Sequence, residues 1–168
     1  MPQLDAIKSK ILSGSELERI LAYWKFRDQK IVFSNGCFDL LHLGHIDYLS
    51  KAADLGNILI IGLNTDASVS RIKGPHRPLQ EEQSRAMVLA SLKFVDAVVL
   101  FGEDTPYELI QKIQPDVLVK GSDYNLEDIV GYDIVIARGG KVVTIDFLHG
   151  YSTSGIEKRI LANAHLKK

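Results

Sequence analysis

The chain has 168 residues, 46% of them hydrophobic and 24% charged, with a net charge of −1 and a single cysteine. That length supports one domain with a full core, the near-neutral charge argues against a general polyanion binder such as a nucleic-acid protein, and one cysteine excludes an intrachain disulfide and fits a reducing compartment. Residues 1–12 lack the apolar core of a signal peptide, and no stretch reaches the roughly 18 apolar residues that a membrane span needs, so a cytoplasmic protein is expected.

Taken in order, residues 1–29 carry helical spacing at Leu4, Ile7 and Ile11 and again at Leu17, Ile20, Leu21 and Trp24, with Ser13-Gly14-Ser15 as a break and Ser15 as the expected N-cap. They read as a helical N-terminal extension, two helices packed on the following domain or on a neighbouring subunit. From residue 30 to 168 short apolar runs alternate with helical periodicity. Strands are predicted at Lys30–Ser34, Ile58–Leu63, Ala97–Phe101, Val117–Lys120 and Lys141–Ile145, and helices at Leu43–Leu55, Asp66–Ile72, Gln80–Leu92, Pro106–Ile113, Glu127–Ala137 and Thr153–Ala164. The Val/Ile/Leu-rich strands suit burial on both faces, and right-handed βα crossovers then give an α/β fold, a Rossmann-like doubly wound five-stranded parallel sheet. Ligands in such sheets sit beyond the strand C-termini at the topological switch point.

The chemically suggestive residues fall there. Asn35 to His45 follow the first strand, Asn64 to Asp66 the second, and Gly121 to Tyr124 the fourth. His42 and His45 lie at i and i+3 where a helix begins, so both imidazoles share one face beside free N–H groups that favour anions. The turn Asn35-Gly36-Cys37-Phe38 would face phosphates with backbone N–H groups. Cys37 reads either as a nucleophile or as a small packed thiol, the second being the usual lot of such a residue. Asp39 either caps the helix start or orients donors. Arg71-Ile72-Lys73-Gly74-Pro75-His76-Arg77-Pro78 places three cations around two prolines and a glycine, a composition suited to a loop closing over phosphates. Ser152-Thr153-Ser154 opens the last helix with capping hydroxyls, although Gly155 is unusual just inside a helix. No G-x-G-x-x-G follows the first strand, which excludes a nicotinamide-dependent oxidoreductase of the usual kind.

His42-Leu43-Gly44-His45 after Gly36-x-Phe38-Asp39 resembles the HxGH signature of the nucleotidyltransferase superfamily that includes the cytidylyltransferases. Gly62-Leu63-Asn64-Thr65-Asp66, Val119-Lys120-Gly121-Ser122-Asp123-Tyr124 and Gly150-Tyr151-Ser152-Thr153-Ser154 match in order, so the resemblance runs from about Lys30 to Ile160. Within the superfamily the chain looks most like the heptose 1-phosphate adenylyltransferases of lipopolysaccharide-core biosynthesis. The resemblance implies transfer of AMP from ATP to a sugar 1-phosphate by direct in-line attack, with Mg²⁺ accompanying ATP and no set of protein metal ligands identifiable. It assigns His42, His45 and Lys73 to catalysis. Asn35, Gly36, Cys37, Phe38, Gly44, Lys120, Gly121, Asp123, Tyr124, Ser152, Thr153 and Ser154 become nucleotide-binding residues. Asp39, Asn64, Asp66, Arg77 and Arg85 become acceptor-binding residues. The apolar face of the N-terminal helices leads to the expectation of a homodimer or higher homo-oligomer, and the charge and hydropathy to that of no nucleic-acid or membrane partner. Many members are fused to a kinase, so a separate heptose kinase is expected upstream of this chain. The alternatives are a glycerol-3-phosphate-type cytidylyltransferase, an FAD synthetase-like enzyme, and a non-catalytic nucleotide sensor. Where similar cytidylyltransferases carry an arginine ahead of Ser-Thr-Thr, this chain has Phe147-Leu148-His149-Gly150 and then Ser-Thr-Ser.

Overall fold

In the computed structural model, residues 1–122 and 125–164 are described. Five strands, β1 (Ile31–Gly36), β2 (Ile58–Asn64), β3 (Ala97–Phe101), β4 (Val117–Gly121) and β5 (Lys141–Ile145), form one sheet in the order β3-β2-β1-β4-β5. Every pairing is parallel, with Ile31 opposite Ile58 and Val32 opposite Val117 on the two sides of β1. Chain direction across the sheet reverses at β1, which puts the ligand crevice between the C-terminal ends of β1 and β4.

The helices are α1 (Gln3–Lys8), α2 (Gly14–Phe26), α3 (Leu43–Ala53), α4 (Asp66–Lys73), α5 (Glu82–Ala90), α6 (Tyr107–Ile113), α7 (Tyr132–Ala137) and α8 (Thr153–Ala164). Alternate strand residues feed two apolar layers. Val32, Leu59, Ile61 and Leu63 pack with Leu49 of α3 and Leu89 of α5. Phe33, Ile60 and Leu118 pack with Ile110 and Ile113 of α6 and with Leu17 and Leu21 of α2. The periodicity of the strands is therefore continuous because both faces are covered. None of the helices is long and apolar enough to cross a membrane among the described residues.

Two local expectations are corrected. The N-cap of α2 is Ser13 rather than Ser15: the Glu16 carboxylate accepts from the Ser13 backbone N–H at 2.8 Å, a capping box that starts the helix two residues earlier. The predicted helix Glu127–Ala137 is interrupted. A 3-10 turn at Leu126–Asp128 precedes α7, with Gly131 at φ +89° between them. A Cβ at Gly131 would stand 2.7 Å from Ile110 Cδ1, and the break lets Ile129 turn into the core, which helical periodicity alone does not reveal. The N-terminal residues are stitched to the sheet edge. Leu12 N–H donates to Val98 O at 2.9 Å and Val98 N–H to Lys10 O at 2.8 Å.

Candidate active site

Strand β1 ends in a tight reversal. Phe38 has φ +44° and folds its ring back over Gly36, where a Cβ would stand 3.1 Å from that ring. The buried Phe38 meets the edge of His45 with ring centroids 5.3 Å apart and planes at 65°. His42 then adopts extended backbone and caps α3, its carbonyl accepting from the N–H of His45 at 2.9 Å and of Ile46 at 3.2 Å. The two imidazoles stack with centroids 3.8 Å apart and planes at 20°. Gly44 makes this stack fit, since a Cβ there would lie 3.1 Å from His42 Cε1 and Nδ1 and 3.2 Å from Tyr151 Cβ.

Burial sets the protonation of the pair. It lowers the pKa of His42, and it lowers that of His45 to about 4, helped by the neighbouring His42 and Lys73 and opposed by the Leu40 carbonyl. Both rings are thus neutral near pH 7 and each offers one N–H. Both Nδ1 atoms, together with Asn35 Oδ1, are buried with no hydrogen-bond partner. Buried polar atoms without partners are costly, and Asn35 Oδ1, an amide oxygen, calls for a donor.

His45 opens on a cavity of about 460 Å³, a volume typical of small-molecule sites. Its floor is Asn35, Gly36, Phe38 and Tyr48. The β4 side contributes Lys120, Gly121, Asp128, Ile129 and Val130, and the β2–β3 side Asn64, Asp104, Thr105 and Pro106. Lys73, Phe147 and Thr153 close the rim. Lys73 lines this space with no hydrogen bond or ion pair to another described residue, so its charge is available to a ligand. A second cavity of about 600 Å³ lies between the start of α2 and β3 and contains none of the predicted site residues.

Of the sequence-predicted nucleotide residues, Asn35, Gly36, Cys37, Phe38, Lys120, Gly121 and Thr153 line the cavity with His45. His42 stacks behind His45 and Gly44 lies beneath His42. Ser152 caps α8, its Oγ accepting from Gly155 N–H at 3.0 Å, and Gly155 leaves just enough room for that hydroxyl. The structure shows no contact of Ser154 with the cavity. Asp123 and Tyr124 lie outside the described residues. Burial pushes the Cys37 thiol up, with Lys73 and Arg85 opposing, so it is protonated at neutral pH, as suits a packed thiol.

Of the expected acceptor residues, Asp39 and Asn64 line the cavity, and Asp66, Arg77 and Arg85 do not. Asn64 faces the cavity, although its Nδ2 donates to Ser68 Oγ at 3.0 Å. Asp39 is only 3% exposed and its carboxylate accepts from Leu79 N–H at 2.8 Å, Gln80 N–H at 3.0 Å and Arg77 Nη1 at 2.7 Å. Burial alone would raise its pKa, but those donors outweigh it and hold the group ionised below the ordinary carboxylate value. Asp39 thus lines the cavity while its carboxylate holds the loop that follows α4. Arg85, with its side chain fully buried, donates to Gln80 O at 2.9 Å, Cys37 O at 2.6 Å and Asp66 Oδ1 at 2.6 Å, so each of its three nitrogens is engaged by a protein acceptor and it holds Asp66 outside the cavity. Arg77 is held between Asp39 and Glu157, and Arg71 bonds Asp104 at 3.0 Å. Of the three cations expected to close over phosphates, Lys73 alone lines the cavity. Sequence reasoning missed Tyr48, which shares the His45 face of α3 at i+3 and pairs its OH with Ser34 Oγ at 2.9 Å. It also missed Phe147, Asp104, Thr105 and the Asp128–Val130 wall, which only the folded chain brings together.

A 3-2-1-4-5 parallel sheet with a glycine-spaced histidine pair at the helix after its central strand, facing a nucleotide-sized cavity, defines a nucleotidyltransferase. Residues 33–159 match the family described as Cytidylyltransferase-like, and the chain belongs to that family. It is 54% identical over 155 residues to the bifunctional protein HldE of Citrifermentans bemidjiense, covering 92% of this chain and 32% of that protein. It is 55% identical over 151 residues to the bifunctional protein HldE of Caulobacter vibrioides, covering 90% and 31%. The chain thus spans about a third of the length of these curated relatives. The crystal structure of the lipopolysaccharide core biosynthesis protein from Thermoplasma volcanium superposes with a TM-score of 0.56 at 27% identity, over 71% of this chain and 97% of that one. A pantoate-beta-alanine ligase from Francisella tularensis shares the fold, with a TM-score of 0.63 at 18% identity over 94% and 79% of the two chains.

Proposed function

We propose that this chain transfers AMP from ATP to a heptose 1-phosphate, forming ADP-heptose and pyrophosphate. The observation that carries the chemistry is the stacked His42–His45 pair, with His45 lining a cavity that Lys73 also lines. The sugar is supported by the sequence resemblance and by the lipopolysaccharide core biosynthesis protein among the structural relatives. Phe147-Leu148-His149-Gly150, in place of the arginine that similar cytidylyltransferases carry, supports ATP over CTP.

In this reading an oxygen of the acceptor phosphate attacks the α-phosphorus as the bond to the bridging α–β oxygen breaks, and pyrophosphate departs with that electron pair. The attacking phosphate is already ionised, so neither histidine serves as a base. Each supplies an N–H to the charge that builds on the α-phosphate, in a corner where a dry environment strengthens it. Lys73 neutralises the departing phosphates, and the capped start of α8 at Ser152–Ser154 receives the β- and γ-phosphates. Gly121, Ile129 and Val130 flank the base, and Asn64 the sugar. Mg²⁺ would arrive with the triphosphate. Among the described residues no cluster of three His, Cys, Asp or Glu side chains is placed to hold a metal, and a magnesium ion bound through phosphates and water needs none. The acceptor's phosphate would come from a sugar kinase, which accords with the bifunctional character of the longer relatives. Tyr23 and Phe26 on α2, the latter 88% exposed, support a homo-oligomer.

The test is label transfer. With ATP labelled at the α-phosphate and heptose 1-phosphate, the label should move into ADP-heptose in step with pyrophosphate. Label released as free AMP, or transfer only from CTP, would contradict the reading.

A further inference from the structure

We propose that Arg77 is a positioning residue, a bridge through Asp39 and Glu157 that fixes the loop leaving α4 at Lys73 and α8 relative to one another and so assembles the grip on the triphosphate. This rests on the nucleotidyl-transfer reading of the site and goes beyond it, replacing the expected contact of Arg77 with a substrate phosphate.

The Arg77 side chain is 18% exposed. One nitrogen donates to Asp39 Oδ2 at 2.7 Å and another to the Glu157 carboxylate. Two carboxylates on one guanidinium leave the cluster with a net negative charge. A phosphate brought to Arg77 would therefore meet repulsion that Lys73 does not impose. On one side, Asp39 fastens the loop beyond Lys73: its carboxylate accepts from Leu79 and Gln80, and its backbone carbonyl accepts from Gln80 Nε2 at 2.9 Å. On the other side stands α8, which buries no residue along its length and so takes little orientation from packing. Thr153 and Glu157 are four residues apart and share one face of that helix. Drawing Glu157 to Arg77 turns Thr153, at the helix start, to the rim of the cavity that it lines. The end of α4 at Lys73, through the loop that follows it, and the start of α8 are thus joined by one side chain.

The substitution Glu157→Gln separates this role from that of a phosphate ligand, because the two predict opposite changes. If Arg77 positions, loss of the Glu157 charge loosens α8, and the dissociation constants of non-hydrolysable ATP and CTP analogues rise threefold or more by calorimetry. The analogue that the wild type binds more tightly carries the comparison. If Arg77 is a ligand, the same change frees it, and binding is unchanged or tighter. A rise of less than threefold, or any tightening, overturns the proposal. Arg77→Lys, which keeps the charge and cannot span both carboxylates, should weaken analogue binding by a similar factor. In turnover, KM for the nucleotide should rise with the dissociation constant while KM for the acceptor stays within twofold. An equal rise in the acceptor KM would overturn the proposal. The binding arm contains no acceptor, so a wrong sugar assignment leaves it intact.

Discussion

Gly44→Ala tests whether the glycine of the histidine motif exists for the stack rather than for the helix. An added Cβ would sit 3.1 Å from two atoms of the His42 ring and 3.2 Å from Tyr151 Cβ, whereas unstrained carbon contacts lie near 3.5–4.0 Å. The neighbours must therefore open by a few tenths of an ångström. Alanine gains up to about 1 kcal/mol over glycine in a helix, so the strain and the propensity oppose each other, and net stability should change by less than about 1 kcal/mol. That corresponds to a shift of roughly 2–4 °C in Tm for a chain of this size. Catalytic geometry is less forgiving, with productive placement held to about 0.5 Å. Displacing His42 off His45 should lower kcat about 10- to 100-fold. Thermal melts and a continuous pyrophosphate-release assay, run on the same preparation, read both quantities. Wild-type kcat in Gly44→Ala would refute the argument, as would a loss of activity explained by a fall in stability beyond about 2 kcal/mol.

Three further outcomes are expected. His42→Ala and His45→Ala should each lower kcat on the order of 10²–10³ while leaving most nucleotide affinity in place, and weakened nucleotide binding with kcat unchanged would instead mark uniform binding groups. Arg85→Ala should cost on the order of 3 kcal/mol in denaturant unfolding, because it strands Asp66 and two carbonyls, those of Cys37 and Gln80; a normal unfolding midpoint with a raised acceptor KM would return Arg85 to the substrate. Acid should also destabilise the fold through His45. The unfolded imidazole takes a proton below its ordinary value of 6.5, while the folded one resists until about 4, so stability falls as pH drops through that window, by on the order of 2 kcal/mol after allowance for partial exposure. His45→Gln should flatten that part of the pH–stability curve, and an unchanged slope would refute the assignment.

The sheet was legible because its strands are apolar on both faces, and β3 and β5 fall at the predicted residues. The histidine pair was legible because i, i+3 spacing at a helix start leaves little choice of direction. Glu127–Ala137 misled because its apolar spacing fits a helix, while the choice to bend at Gly131 belongs to Ile110, a contact distant in sequence. The partners of the acceptor candidates were hidden for a related reason. Charged residues near a phosphate site look alike in sequence whether they face the ligand or each other, and only the fold shows Asp39, Arg77 and Arg85 to be committed to protein partners. Tyr48 was within reach, one helical step beyond His45, whereas Phe147 and Asp128–Val130 depend on how loops meet across the crevice.

The measurement that bears most directly on the central claim is pyrophosphate release in the presence of Mg²⁺, with ATP and CTP each crossed against heptose 1-phosphate, glycerol 3-phosphate and FMN. Turnover with ATP and heptose 1-phosphate alone, lost in His42→Ala, is the predicted result. Turnover with CTP in place of ATP would contradict the substrate assignment, and bound nucleotide without turnover in any combination would contradict catalysis itself.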